Sequence, residues 1–105
     1  MEKGKEIALG PGKVELLEHI ARTGSIAEAA ERMEMSYMRA WTLVKTMEAC
    51  FRQPLVAAHR GGKSQGGASL TDAGQKALAL YRRMDEQCQK ATKQAWRELR
   101  KLLKP

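Results

Sequence analysis

Beyond residue 12 the apolar positions fall into a helical rhythm, with Val14, Leu17, Ile20 and Ala21 separated by three, three and one residues. That spacing predicts a first helix over Lys13–Arg22, entered through Gly10-Pro11-Gly12 and stopped by Gly24. Ser25-Ile26-Ala27-Glu28 has the form of a capping box. In it the Ser25 hydroxyl accepts from the amide three residues on, and Glu28 reaches back to the Ser25 amide. A short second helix therefore starts at Ile26 and turns Ala29, Ala30 and Met33 inward. Ser36 offers a further cap just after it, so two helices meet through a turn of about three residues and cross steeply, as in a helix-turn-helix. Ala30 is small enough for close backbone approach at such a crossing, and it is also simply a good helix former.

The third helix is expected from Tyr37 to about Phe51. Ala40, Trp41, Val44, Met47 and Phe51 make one apolar stripe, read as core with Trp41 as an anchor, and the methionines of the chain read as filler. The opposite face carries Tyr37, Arg39, Thr42, Lys45 and Thr46, with Glu48 as its one acid near the end. Hydrogen-bond donors and positive charge on one helix face suit a major groove, whereas an ordinary solvated face would carry more Glu or Asp.

Pro54 to Arg60 reads as a strand, Gly61 to Gly67 as a flexible loop and Ala68 to Leu70 as a return strand, giving a hairpin. Thr71 then caps a last helix that continues to about Leu103. Along it Ala77, Tyr81, Met84, Cys88, Ala91 and Ala95 follow spacings of 4, 3, 4, 3 and 4, with Leu99 and Leu102 beyond. So small a chain cannot cover all of that seam itself, and a homodimer is the simplest cover. The expected fold is mainly α: a winged helix-turn-helix over residues 1–70, with three helices and a hairpin, and a long C-terminal dimerisation helix over 71–105 within the same domain.

Composition sharpens this reading. The net charge is +7, and it is uneven: Met1–Met35 sum to −2, Ser36–Leu70 to +4 and Thr71–Pro105 to +5. The basic middle third, carrying the third helix and the hairpin, fits a polyanion partner, while the basic last segment reads as a solvated helix face. With 105 residues, one domain and one function are expected. No signal peptide or membrane span is visible, and Cys50 and Cys88 stand far apart with no His or Cys at ligand spacing. These features point to a reducing cytoplasm, no metal and no cofactor. Gly62-Lys63-Ser64 ends like a phosphate-binding loop, but the required first glycine falls at Ala57 and no helix follows. His19 and His59 lack ligand partners, and no catalytic constellation can be assembled from this order of residues, so the chain is not expected to be an enzyme.

The candidate DNA-contacting residues divide by chemistry. Tyr37, Arg39 and Thr42 are the base readers, with Ser36 and Lys45 as phosphate partners at the ends of the exposed stripe. Thr23 and Ser25 lie at the start of helix two, where capping and phosphate binding are compatible roles. Lys63 and Ser64 belong to the glycine-rich loop, which can approach phosphate closely, and Arg60 assists from the strand. Two other readings remain beside the sequence-specific regulator. One is an architectural protein that binds DNA without preference; the other is a protein-interaction module using the last helix.

Certain runs also carry a resemblance. Leu17 to Ala30 with Gly24-Ser25-Ile26, then Ser36 and Leu70-Thr71-Asp72-Ala73-Gly74, resemble the DNA-binding domain of LysR-type regulators. Met35 to Trp41 together with Gly61 to Thr71 resemble, more narrowly, the DNA-binding half of ModE-type molybdate-responsive repressors. The resemblance implies a homodimeric bacterial repressor of double-stranded DNA, with helix three in the major groove, the wing on the backbone and the last helix pairing the subunits. Relatives often have Gly or Asn where Glu34 stands, so a left-handed backbone there would be strained. Full-length members continue into molybdate-binding domains; ending at Pro105, this chain is expected not to bind molybdate, and no small-molecule effector is evident in it.

Overall fold

The computed structural model describes residues 10–59 and 67–105, together with the backbone of 2–3 and 6–7. Near the start, β1 (Glu2–Lys3) and β2 (Glu6–Ile7) form a minimal antiparallel ladder, which the apolar pattern had not indicated. Four helices and a second hairpin follow: α1 (Pro11–Thr23), α2 (Ile26–Arg32), α3 (Tyr37–Glu48), β3 (Val56–His59), β4 (Gly67–Leu70) and α4 (Asp72–Lys101).

Three of the four helices start at a side-chain cap, and α1 starts at Pro11, two residues before the expected Lys13, with no side-chain cap. α1 has Pro11 in its first turn, where the missing amide costs nothing, and ends on Gly24, whose φ of 70° returns its N–H to the Ile20 carbonyl. Ser25, Ser36 and Thr71 cap α2, α3 and α4 by accepting from Glu28, Arg39 and Gly74. Only half of the expected capping box forms, because the Ser25 amide donates instead to Thr23 Oγ1 at 3.2 Å.

Glu34 adopts φ 54°, so the left-handed turn occurs at the position where its side chain makes it unfavourable. The Met35 N–H bonds to Ala30 O and the Glu34 N–H to Glu31 O, each at 3.0 Å, which is a Schellman closure of α2 built without glycine. Two hydrogen bonds and the packing of Met35 against the core hold the strained residue in place.

The core lies where α1 meets everything else: α2, α3, β4 and α4 all pack on it. Leu16, Leu17, Ile20, Val44, Met47 and Leu55 are its largest fully buried side chains. Being central, α1 buries a broad face, so Leu16 is inside; Ala21, expected in the stripe, lies in the last turn and is exposed. A larger correction concerns Trp41. It is 41% exposed, whereas Ala40, Val44 and Met47 face inward and Leu43 packs beside them. At 100° per residue Trp41 lies on the flank of that buried arc, and Phe51 falls after the helix, which stops at Glu48. The methionines are not all filler either, since Met38 and Met84 are 65% and 51% exposed.

In the wing, Val56 pairs with Leu70 and His59 with Gly67 across an antiparallel ladder. The junction with α4 is tight. Thr71 Oγ1 donates to Pro54 O at 2.6 Å while capping α4, and the Thr71 amide donates to Leu55 O at 3.0 Å. Gly74 lies so close to this strand that a Cβ there would sit 2.1 Å from Leu55 O. Only the first turns of α4 contact the body: Gly74 and Leu78 are buried, Ala77 and Tyr81 pack on the core, and every residue from Arg82 onward is exposed.

Candidate nucleic-acid interface

The exposed surface of α3 is set by its cap and its period. Ser36 Oγ accepts from the Arg39 amide at 3.1 Å and fixes the first turn. With Ala40, Val44 and Met47 buried, Met38, Thr42 and Lys45 point directly outward, Tyr37 and Trp41 line one flank and Arg39 lies on the other. All six are exposed, and no described residue forms an ion pair with Arg39.

The acid of this helix is used internally. Glu48 Oε2 accepts from the Leu55 and Val56 amides, both at 2.8 Å, and its side chain is only 12% exposed. Glu48 therefore ties the end of α3 to the first residue of the wing strand and withdraws its charge from the outer face. Its other oxygen lies 3.5 Å from Lys45 Nζ, and the same ammonium lies 5.5 Å from the centre of the Trp41 ring. Lys45 thus contacts two neighbours on its own helix while remaining exposed.

A shallow crevice of about 250 Å³ runs beside this surface, lined by Ser25, Ile26, Ala27, Tyr37, Ala58, His59, Gly67 and Ala68. It brings the starts of α2 and α3 against the wing stem. His59 Nε2 and Ser69 Oγ, 2.8 Å apart, form a hydrogen-bonded pair on the exposed side of the hairpin. Thr23 is turned inward: its hydroxyl donates to His19 O at 2.8 Å, and Ser25 Oγ accepts from Glu28 N at 3.1 Å. Both hydroxyls thus act as local caps, and Ser25 alone of the two lines the crevice. Arg60, Lys63 and Ser64 lie outside the described residues.

Of the sequence-derived contacts, the structure brings Ser36, Tyr37, Arg39, Thr42 and Lys45 onto one helix surface, with Ser25 adjacent. Met38 and Trp41, which sequence reasoning assigned to the interior as large apolar residues, are exposed on the same surface, as counting 100° steps from Ala40 separates them from the core. Among the described residues, no three His, Cys, Asp or Glu side chains group as metal ligands. No described helix is long and apolar enough to cross a membrane.

Three helices, a hairpin after the third and a projecting fourth helix define a winged helix-turn-helix protein. Residues 12–75 match the bacterial regulatory helix-turn-helix proteins of the lysR family, and the chain belongs to that family. It is 40% identical over 84 residues to the molybdenum transport protein ModE of Azotobacter vinelandii, covering 80% of this chain and 31% of that protein. It is 47% identical over 73 residues to the molybdenum-pterin-binding protein MopB of Rhodobacter capsulatus, covering 70% of this chain and 27% of that protein. It is also 40% identical over 81 residues to the DNA-binding transcriptional dual regulator ModE of Escherichia coli K12, covering 77% and 31%. The chain thus spans less than a third of the length of these curated relatives. The fold is shared with the DNA-binding domain of CbnR in its DNA complex, at a TM-score of 0.66 and 22% identity over 87% of this chain and 99% of that one.

Proposed function

We propose that the chain is a sequence-specific reader of double-stranded DNA that regulates transcription, with α3 in the major groove and the wing on the adjoining backbone. The observation that carries this reading is the fate of Glu48. The one acid of α3 is bound to the Leu55 and Val56 amides, which leaves an outer face of donors, cations and apolar groups. Such a face is attracted to phosphate and can pair with base edges. Family membership and the relatives named as ModE regulators support the same function, and not an enzymatic one. On this reading the protein acts in the bacterial cytoplasm, as a repressor where its site overlaps a promoter.

The second part of the proposal is a homodimer through α4. Thirty residues of helix are about 45 Å long, and beyond Tyr81 its apolar stripe of Met84, Cys88, Ala91, Ala95, Leu99 and Leu102 is uncovered by the rest of the chain. Ala77 and Tyr81, at the near end of the same stripe, are engaged with the core of their own subunit and serve to anchor the helix. Pairing would give a bivalent reader of two half-sites.

The test is titration of the chain and of Arg39→Ala on selected and scrambled duplexes at several salt concentrations. A regulator is expected to prefer its site by about a thousandfold or more. Arg39→Ala should cost roughly 1–3 kcal/mol on the selected site alone, whereas Lys63→Ala, removing a point charge of the wing loop, should weaken both duplexes alike. A preference below about tenfold would support the architectural reading instead. Absence of DNA binding would leave protein interaction.

A further inference from the structure

Tyr37, Met38 and Trp41 are exposed together on α3, at 49%, 65% and 41%. Scattered apolar residues on a surface need no explanation, but three within five positions of one helix face do. None completes a core, because Ala40, Val44 and Met47 already fill that side. The Lys45 ammonium lies 5.5 Å from the centre of the Trp41 ring and 3.5 Å from Glu48. Lys45 lies on the same side of α3 as the patch, Arg39 lies on the opposite flank, and no exposed acid of α3 interrupts the surface between them, which matches a polyanion with an apolar group at its centre.

The major groove offers one such group. Guanine, adenine and cytosine present hydrogen-bonding atoms there, which an apolar side chain would desolvate without compensation, whereas thymine presents its 5-methyl beside O4. Met38 and Trp41 are three residues apart, hence about 4.5 Å along the helix axis, close to the rise of one base pair at roughly 3.4 Å. Resting on the reading of α3 as the groove-entering helix, we propose that Met38 and Trp41 are specificity-determining residues that select thymine, through its 5-methyl group, at one or two neighbouring base pairs. Arg39 and Thr42 then supply the polar part of the readout on the same turn of helix.

The experiment uses the full chain and a duplex selected by sequencing the fragments it binds. Thymines are replaced one at a time by deoxyuridine, which removes the methyl and leaves every hydrogen-bonding atom. Burial of one methyl corresponds to about a fourfold change in affinity, so losses of roughly three- to tenfold are expected at one or two adjacent positions and none elsewhere. Met38→Ala or Trp41→Ala should abolish the penalty at its own position while leaving the melting temperature close to that of the parent, because both side chains are exposed. Tight, selective binding that is indifferent to every deoxyuridine overturns the thymine assignment and leaves the groove-reading helix intact. A methyl effect that survives both substitutions also overturns it. Failure to bind any duplex overturns both, and points to a protein partner for the patch.

Discussion

Replacing Glu48 with alanine tests the contact that joins α3 to the wing. Its carboxylate accepts from the Leu55 and Val56 amides at 2.8 Å, and Leu55 is 1% exposed, so little water reaches the first of these amides once the acceptor is gone. Hydrogen bonds to a charged acceptor contribute about 1.5–3 kcal/mol each. Two would give roughly 3–6 kcal/mol, but the strand start is partly open and can be rehydrated, which brings the expected loss to about 2–4 kcal/mol. The pair with Lys45 adds at most about 0.5 kcal/mol, since that ammonium is well exposed. Glu48→Gln keeps an acceptor oxygen without its charge and should lose about half as much. Urea unfolding of the three proteins gives these values, and hydrogen exchange localises them, because the Leu55 and Val56 amides should exchange faster in the alanine variant than amides of α1. A loss below about 0.5 kcal/mol, or unchanged exchange at those two amides, would refute the argument that this carboxylate holds the wing.

Gly74→Ala should cost more than about 3 kcal/mol or prevent folding, since its Cβ would meet Leu55 O at 2.1 Å, although the same change inside an unobstructed helix gains about 1 kcal/mol; thermal melting distinguishes the two signs. Glu34→Gly should stabilise by roughly 0.5–1 kcal/mol in denaturant titration, because relief of the left-handed strain exceeds the added freedom of the unfolded chain. Met84→Glu places a charge on the uncovered stripe of α4 and should convert a dimer into monomers in light scattering with no loss of helix content; an unchanged mass excludes that stripe as the interface.

Three helix starts were legible because capping is local: Ser25, Ser36 and Thr71 each precede their helix and each accepts an amide from three residues on. The strain at Glu34 could likewise be anticipated from the turn it occupies. The inside and outside of α3 were not fully legible. Periodicity assigns a residue to an arc, and the size of Trp41 favoured the core although the helix turns it to the flank. The breadth of the buried face of α1 depends on how many elements surround it, which only the tertiary arrangement reveals. Nor did the sequence disclose where Glu48 goes, because its partners are backbone amides seven and eight residues away, brought back by a turn that ends α3.

The joint at Thr71 has a consequence for operator architecture. Its hydroxyl and amide bond to Pro54 and Leu55 while capping α4, and Gly74 lies against the same strand, so α4 leaves the body at an angle fixed on several sides. In a dimer paired along α4, that angle sets the separation and phase of the two α3 helices, making each joint one end of a ruler laid along the duplex. Inserting one base pair between half-sites turns them by about 34° and moves them by about 3.4 Å. A joint that resists such a change would pass part of that error to the DNA as twist or bend. In such a dimer, a threonine and a glycine at the base of α4 would help to select the spacing between half-sites.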